Sequence, residues 1–239
     1  MPRTAATNRF AVRDFGTCLQ FIKASSSRVS SPYQFSGLTS ASAWSVSFWA
    51  NIPTGEAKSA LFGIKNGSSE FLIYHGETGN DGNPGLYVSA GGSNIFLHDF
   101  SPDIRDGKWH HWVITYNPTG TTTTFYIDNT SLTSTGTGFS GTLSIASNVY
   151  IGGENGASLY TSARIDEFVF YDTYTLTTTD IADIYYRGIY PSATKRFWYK
   201  FDEGSGTSAT DSSATQSAGT ITGATYSTDV KFKTRTVVA

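Results

Sequence analysis

The chain has 239 residues, a formal net charge of −2 and a single cysteine. It is long enough to bury a core without covalent staples, and one cysteine cannot form an internal disulfide framework. The near-neutral balance excludes an overall basic footprint for nucleic acid, and no apolar run reaches membrane-spanning length.

Serine and threonine supply 63 residues, and aromatic residues make up 15%. Threonine and aromatic side chains favour pleated, half-buried surfaces, so the composition points to an all-β fold. Residues 1–15, with Arg3, Arg9 and Arg13 against Asp14, lack the apolar centre of a secretory signal and are expected as an extended basic tail. Residues 17–22 alternate, with Leu19 and Phe21 on one face. After a serine-rich turn, residues 44–52 place Trp44, Val46, Phe48, Ala50 and Ile52 on one face. Pro53-Thr54-Gly55 ends that strand. Short strands are predicted at 60–64, 70–75, 85–89 and 94–98, with the turn-rich loop 76–85 among them. This rhythm is that of a β-sandwich or jelly roll.

Residues 106–128, DGKWHHWVITYNPTGTTTTFYID, read as two strands joined at Asn117-Pro118-Thr119-Gly120. His110, Trp112, Ile114 and Tyr116 share one face; Trp109, His111, Val113 and Thr115 share the other. Neither face is polar throughout, which predicts a central strand covered on both sides. A polar loop leads to strands at 143–145, 149–152 and 163–171. One helix is predicted at 177–187, where Thr177 and Asp180 form a capping box, Ile181, Ile184 and Tyr185 form a stripe, and Gly188 stops the chain. A strand at 196–201, a polar loop and a strand at 220–226 (TITGATY) complete one antiparallel β-sandwich over 16–226. A basic tail follows at 227–239, with no fixed repeat along the chain.

Four segments resemble the laminin-G-like branch of the concanavalin A-like lectin/glucanase superfamily. They are SVSFWANI, the 106–128 stretch, IGGENG with RIDEFVFYDTYTLTTTDIADIYYRG, and FWYKFDEGSGTSATDSS. The resemblance covers most of residues 16–225 and implies a jelly roll. In the family the W-x-F-D-E-G-S-G-T segment opens the domain, whereas here it closes the chain and FGTCLQF opens it. A circular permutation is therefore expected, with 196–226 filling the place of the family's first segment. The alternative is exchange of 196–226 with a neighbouring subunit.

Adjacent strand residues point to opposite faces, so His110 and His111 cannot chelate one ion and are expected as structural groups. No zinc spacing occurs. Glycoside hydrolysis needs two carboxylates about 5–9.5 Å apart. The superfamily's glucanases carry them close together on one strand, but here the six glutamates are scattered and Asp166-Glu167 and Asp202-Glu203 are adjacent pairs that diverge on a strand. The expectation is that the protein is not an enzyme.

The resemblance implies calcium at the sandwich rim, with Asp166 and Asp202 in position. FIKASSSRV stands where the family has F-D-G-S-x-D, which removes two oxygens from an ion that takes six to eight. No cofactor is expected, with calcium the one candidate. For a glycan ligand the aromatic candidates are Trp49, Tyr74, Tyr87 and Tyr160, with Phe96, beside loops 76–85 and 153–160. The basic ends (Arg3, Arg9, Arg13, Lys231, Lys233, Arg235) are either solvated tails or docking segments for an acidic partner.

Together these features predict a non-catalytic structural or adhesive surface protein in a homo-oligomer or larger assembly. The favoured setting is a virion exterior, as a decoration or tail-associated protein, with no nucleic-acid or membrane partner. A secreted carbohydrate-binding module is the alternative, and a diverged glycosidase the third reading.

Overall fold

The computed structural model describes residues 16–76, 83–90, 93–97, 103–120, 122–132, 142–155 and 159–231. Arg3, Arg9, Arg13, His98, Lys233 and Arg235 lie outside them.

Period-two alternation of large apolar side chains closes two antiparallel sheets face to face. The first sheet runs in the order β11 (Thr130–Leu132), β10 (Thr122–Ile127), β9 (Trp109–Asn117), β4 (Trp44–Asn51), β14 (Arg164–Tyr171), β1 (Cys18–Gln20) and β18 (Thr225–Ser227), and β15 (Phe197–Tyr199) also pairs with β14. The second runs β16 (Ser208–Ala209), β17 (Gly219–Thr222), β2 (Arg28–Ser31), β13 (Val149–Ile151), β5 (Ser59–Asn66), β6 (Ser69–His75), β7 (Pro84–Ala90) and β8 (Ser93–Leu97). A ribbon of β3 (Phe35–Thr39) and β12 (Thr142–Ile145) adds Phe35, Leu38, Leu143 and Ile145 to the core.

Phe48, Trp112 and Phe168 of the first sheet interdigitate with Phe62, Phe71 and Ile73 of the second. The Phe48 ring stacks on Phe168 at 4.9 Å and on Trp112 at 5.6 Å. Such offset aromatic pairs add about 0.5–1.5 kcal/mol each beyond their buried area.

The outer face of the first sheet is covered as well. Helix α1 (Thr178–Arg187) is capped at Thr177, whose side chain accepts from Asp180 N–H, while Asp180 returns the bond to Thr177 N–H. Gly188 ends it in the left-handed region at φ 61°. Ile181 and Ile184 press onto Val113, Val169 and Tyr171. The central hairpin is therefore buried on both sides, as its two apolar faces predict.

Residues 197–227 pair within this chain: β15 with β14, β16 and β17 beside β2, and β18 with β1. One edge of β14 is shared between β1, opposite Arg164 and Ile165, and β15, opposite Phe168 to Phe170. The register shift between Asp166 and Val169, with Glu167 at φ 50°, separates the two stretches. Gly16 N–H donates to Asp202 Oδ1 at 3.1 Å and Thr17 Oγ1 donates to Phe201 O at 2.6 Å, which ties the start of β1 to the end of β15.

Three local expectations are corrected. The serine-rich stretch before residue 44 contains β2 and β3, where serines occupy pleat positions and only Val29, Phe35 and Leu38 supply apolar anchors. TITGATY is two strands in opposite sheets, because Gly223 at φ 69° turns the chain from β17 to β18. Residues 227–231 are not a free tail. Val230 is buried with Cys18, and Arg164 holds Asp229 at 3.1 Å, so this stretch forms a strap over the outer face of the first sheet. Among the described residues no helix is long and apolar enough to cross a membrane.

Candidate functional site

No helix among the described residues covers the second sheet, and its outer face holds two of the four aromatics proposed for ligand binding, Tyr74, which is 1% exposed, and Tyr87, which is half-buried. On β6, Phe71 and Ile73 enter the core, which turns Glu70, Leu72 and Tyr74 outward; on β7, Leu86 and Val88 do the same for Gly85, Tyr87 and Ser89. One cross-strand row runs Ser30, Tyr150, Gly63, Leu72, Tyr87, with Phe96 opposite Tyr87 in register. Tyr150 and Tyr87 are both half-buried. Three strand spacings separate them, about 14 Å at about 4.8 Å per strand.

Two glycines shape this face. A Cβ at Gly85 would lie 2.4 Å from the Tyr74 ring, so Tyr74 lies across β7 only because Gly85 has no side chain. A Cβ at Gly63 would stand 3.3 Å from the Glu154 Cβ and 2.9 Å from Leu72 Cδ1. The gap at Gly63 therefore admits Glu154. Tyr160, in turn, lies against Gly153 at 2.7 Å from the position of its missing Cβ. Leu159 packs with Ala60, Leu72, Tyr74 and Tyr87, and its carbonyl accepts Ala60 N–H at 3.0 Å.

Beside the row, Lys65 pairs with Glu70 at 2.9 Å. Glu154 is 1% exposed, and neither carboxyl oxygen receives a hydrogen bond from a donor. Burial first, and then the neighbouring Glu70 carboxylate, push Glu154 up to about 7, while Lys65 and Lys58 work in the opposite direction. The Glu70 carboxylate is near enough for its charge to act on Glu154. Sequence reading singled out neither; the signal for them was an isolated glycine, Gly63, in mid-strand, which marks a close approach of another group.

Trp49 lies elsewhere. It faces outward from β4 in the first sheet, is 1% exposed, and has His111 stacked at 4.7 Å. Tyr185 of α1 lies at 5.6 Å, and Lys231 Nζ stands 3.5 Å from its centroid. Its ring, like that of Tyr74, is not offered to solvent, which corrects the placement of both among ligand-stacking residues. Lys231 likewise spends its charge inside its own chain.

The two histidines diverge as alternation requires. His111 is fully buried with Nε2 2.9 Å from Ser47 Oγ, and burial lowers it to about 3. His110 faces the rim, bonded through Nδ1 to Asp128 Oδ2 at 2.6 Å and through Nε2 to Asp106 Oδ1 at 3.1 Å. The Asp128 bond raises its pKa. Ser47, the hydroxyl beside His111, is as fully buried as the imidazole.

The calcium candidates fit the ion poorly. Asp166 is buried beneath the strap with Oδ1 accepting Glu167 N–H at 2.9 Å, and Asp202 Oδ1 accepts Gly16 N–H. Burial, then Glu167 and Asp202, raise Asp166 well above the usual carboxylate range. Among the described residues no three His, Cys, Asp or Glu converge to hold a metal ion. Two such carboxylates fall short of the six to eight oxygens that calcium takes.

Two facing antiparallel sheets, the first covered on its outer side by a helix, define a lectin-like jelly roll. The chain belongs to the concanavalin A-like lectin/glucanases superfamily, whose laminin-G-type family model matches residues 23–182. Among solved structures it is similar to a candidate carbohydrate-binding protein from Bacteroides ovatus, at 17% identity and TM-score 0.68, covering 91% of this chain and 61% of that one. It is also similar to mouse laminin alpha1 domains LG4-5, at 16% identity and TM-score 0.52, covering 74% and 48%. A third is a heptameric SAP-like pentraxin from Limulus polyphemus, at 15% identity and TM-score 0.52, covering 72% and 83%. At these identities the likeness is one of fold, and the chain spans about three-fifths of the Bacteroides ovatus protein. No curated protein matches the chain in sequence.

Proposed function

We propose that this chain is a non-catalytic binding module that engages a glycan on the outer face of the second sheet. The observation that carries the reading is the row Tyr150–Gly63–Leu72–Tyr87, where two half-buried tyrosines stand on either side of a buried glycine and leucine, on a sheet face that no helix among the described residues covers. Tyrosine rings offer apolar faces for pyranose stacking. The Lys65–Glu70 pair beside them offers donors and acceptors for hydroxyl groups. The carbohydrate-binding description of the Bacteroides ovatus protein, which shares this fold, supports the same reading.

The burial of Glu70 and Glu154 also favours binding over hydrolysis. Acid and base of a glycosidase stand about 5–9.5 Å apart on either side of a bond that must reach them, whereas Glu154 is 1% and Glu70 9% exposed. The setting expected from the sequence, an oligomeric protein on a virion exterior, belongs to this proposal and rests on the basic ends of the chain. Its check is detection of the protein in purified particles.

The test of the binding face is a glycan array run with and without calcium, followed by titration of any hit against Tyr87→Ala and Tyr150→Ala. Each variant is expected to weaken binding by about tenfold, the equivalent of about 1.4 kcal/mol. An array without hits in either condition, or a hit that both variants bind unchanged, overturns the reading.

A further inference from the structure

A separate cavity of about 300 Å³ opens at the rim of the sandwich, where the chain leaves β2 for β3 and where β15 begins. Its walls include Tyr33, Gln34, Ser36, Arg196, Thr215 and Ser217, none of which belongs to the face described above. This volume sits at the lower end of the roughly 300–1,000 Å³ typical of small-molecule sites.

The walls are fixed before any ligand arrives. Asp211, 5% exposed, accepts Trp198 N–H and Ser213 N–H on Oδ1 at 2.9 and 2.8 Å. Its Oδ2 accepts Ser213 Oγ, Thr215 Oγ1 and Ser217 N–H at 2.8, 2.9 and 2.9 Å. This one carboxylate therefore winds residues 211–217 into a rigid wall. Opposite it, Tyr33 is wedged among Phe35, Phe170 and Phe197 at ring separations of 5.2, 5.4 and 5.7 Å. Ordering costs already met in the free protein are not charged against binding.

Arg196 gives the cavity its chemical bias. Its guanidinium lies over the Tyr33 ring at 5.0 Å, and its one acidic neighbour, Asp172 Oδ2, stands 3.6 Å from Nε. That is longer than a hydrogen bond, and no other group among the described residues hydrogen-bonds the guanidinium. A planar fork of N–H donors, stacked on an aromatic ring and left without a bidentate partner, is suited to a carboxylate. The surrounding hydroxyl and amide groups of Gln34, Ser36 and Ser217 both donate and accept, as the hydroxyls of a sugar do.

We propose that this cavity is a second binding site, for a hydroxylated carboxylate of monosaccharide size, that is, a sugar acid. The proposal does not depend on the glycan reading of the second-sheet face.

The test is saturation-transfer NMR and calorimetry on the full chain with glucuronate, glucose and acetate. Glucuronate is expected to bind at least about tenfold more tightly than either glucose or acetate, in line with the gain from a charge-assisted pair. Arg196→Gln is expected to reduce glucuronate to the level of glucose, Arg196→Lys to retain part of the preference, and Tyr87→Ala to leave it unchanged. The proposal is overturned if glucuronate does not bind or binds no better than glucose, or if acetate binds as tightly. It is overturned equally if both Arg196 variants, folded by circular dichroism, bind like wild type, or if Tyr87→Ala abolishes binding, which would move the ligand to the other face.

Discussion

Lys231 Nζ stands 3.5 Å from the centre of the Trp49 ring and 4.6 Å from that of Tyr185, so a lysine near the end of the described chain closes an aromatic stack that continues to His111. Burial lowers this amine to about 8, with Asp128 opposing the shift. Two effects compete here: desolvation disfavours the charge, and attraction to the ring faces, worth about 0.5–2 kcal/mol, favours it. Lys231→Ala is expected to cost about 1 kcal/mol and to loosen the 227–231 strap, read as a shift in tryptophan emission and a lower Tm. At pH 8, brief acylation followed by mass spectrometry should modify Lys231 ahead of the other lysines. Labelling at the rate of an ordinary surface lysine contradicts the lowered pKa.

Glu154 keeps its proton to a higher pH than an ordinary carboxyl. Its folded pKa, about 7, exceeds the ordinary value of 4.5, so the folded state keeps a proton that the unfolded chain releases. Stability from this group is present below pH 4.5 and is lost as pH rises through about 7. Glu154→Gln, which keeps the shape without the ionisation, is expected to stabilise the protein at pH 8 by on the order of 2 kcal/mol and to change little at pH 5. Denaturant titrations at the two pH values measure this. Equal effects at both would show that the carboxyl does not titrate in this range.

His75 and His111 act in the opposite direction. Both are buried and lowered from 6.5 to about 3, chiefly by burial. Between those values the unfolded chain takes up protons that the folded state refuses, so stability falls as pH drops through the window, by up to about 3 kcal/mol per histidine by pH 4. His110, raised by Asp128, offsets a smaller part of this loss. A denaturation midpoint that shows no decline between pH 6.5 and 4 contradicts the assignment. NMR of the imidazole protons tells which ring remains neutral.

Gly85→Ala tests how the open face is built. The new methyl would stand 2.4 Å from the Tyr74 ring, forcing the tyrosine off β7 at a cost of about 1–3 kcal/mol. Because Tyr74 packs with Leu72, Tyr87 and Leu159, the expected readout is a lower Tm together with perturbed amide shifts along β6 and β7. A thermal transition identical to wild type would mean that the ring does not lie where the register places it.

Much of the scaffold is legible from local pattern alone. The alternation in residues 44–52 and 109–117, the Thr177–Asp180 box and the stop at Gly188 are short-range signals, and each element forms where its period and caps place it. β2 escapes because serine carries its alternation, and β17 and β18 escape because one glycine divides an apparently continuous strand. Such boundaries depend on what lies across the core, and sequence spacing does not report that.

The composition and periodicity of this chain determined that it is a β-sandwich with a doubly covered central hairpin, because side-chain period and helix capping are properties of neighbouring residues. The tertiary structure alone decided which aromatics share a face. Sheet order places Trp49 under a helix and a lysine strap, sets Tyr87 and Tyr150 in one row on the second sheet's outer face, and lets Gly63 bring Glu154 near Glu70. Those groupings follow from long-range strand pairing, in which residues far apart in the chain become neighbours about 5 Å apart across the sheet.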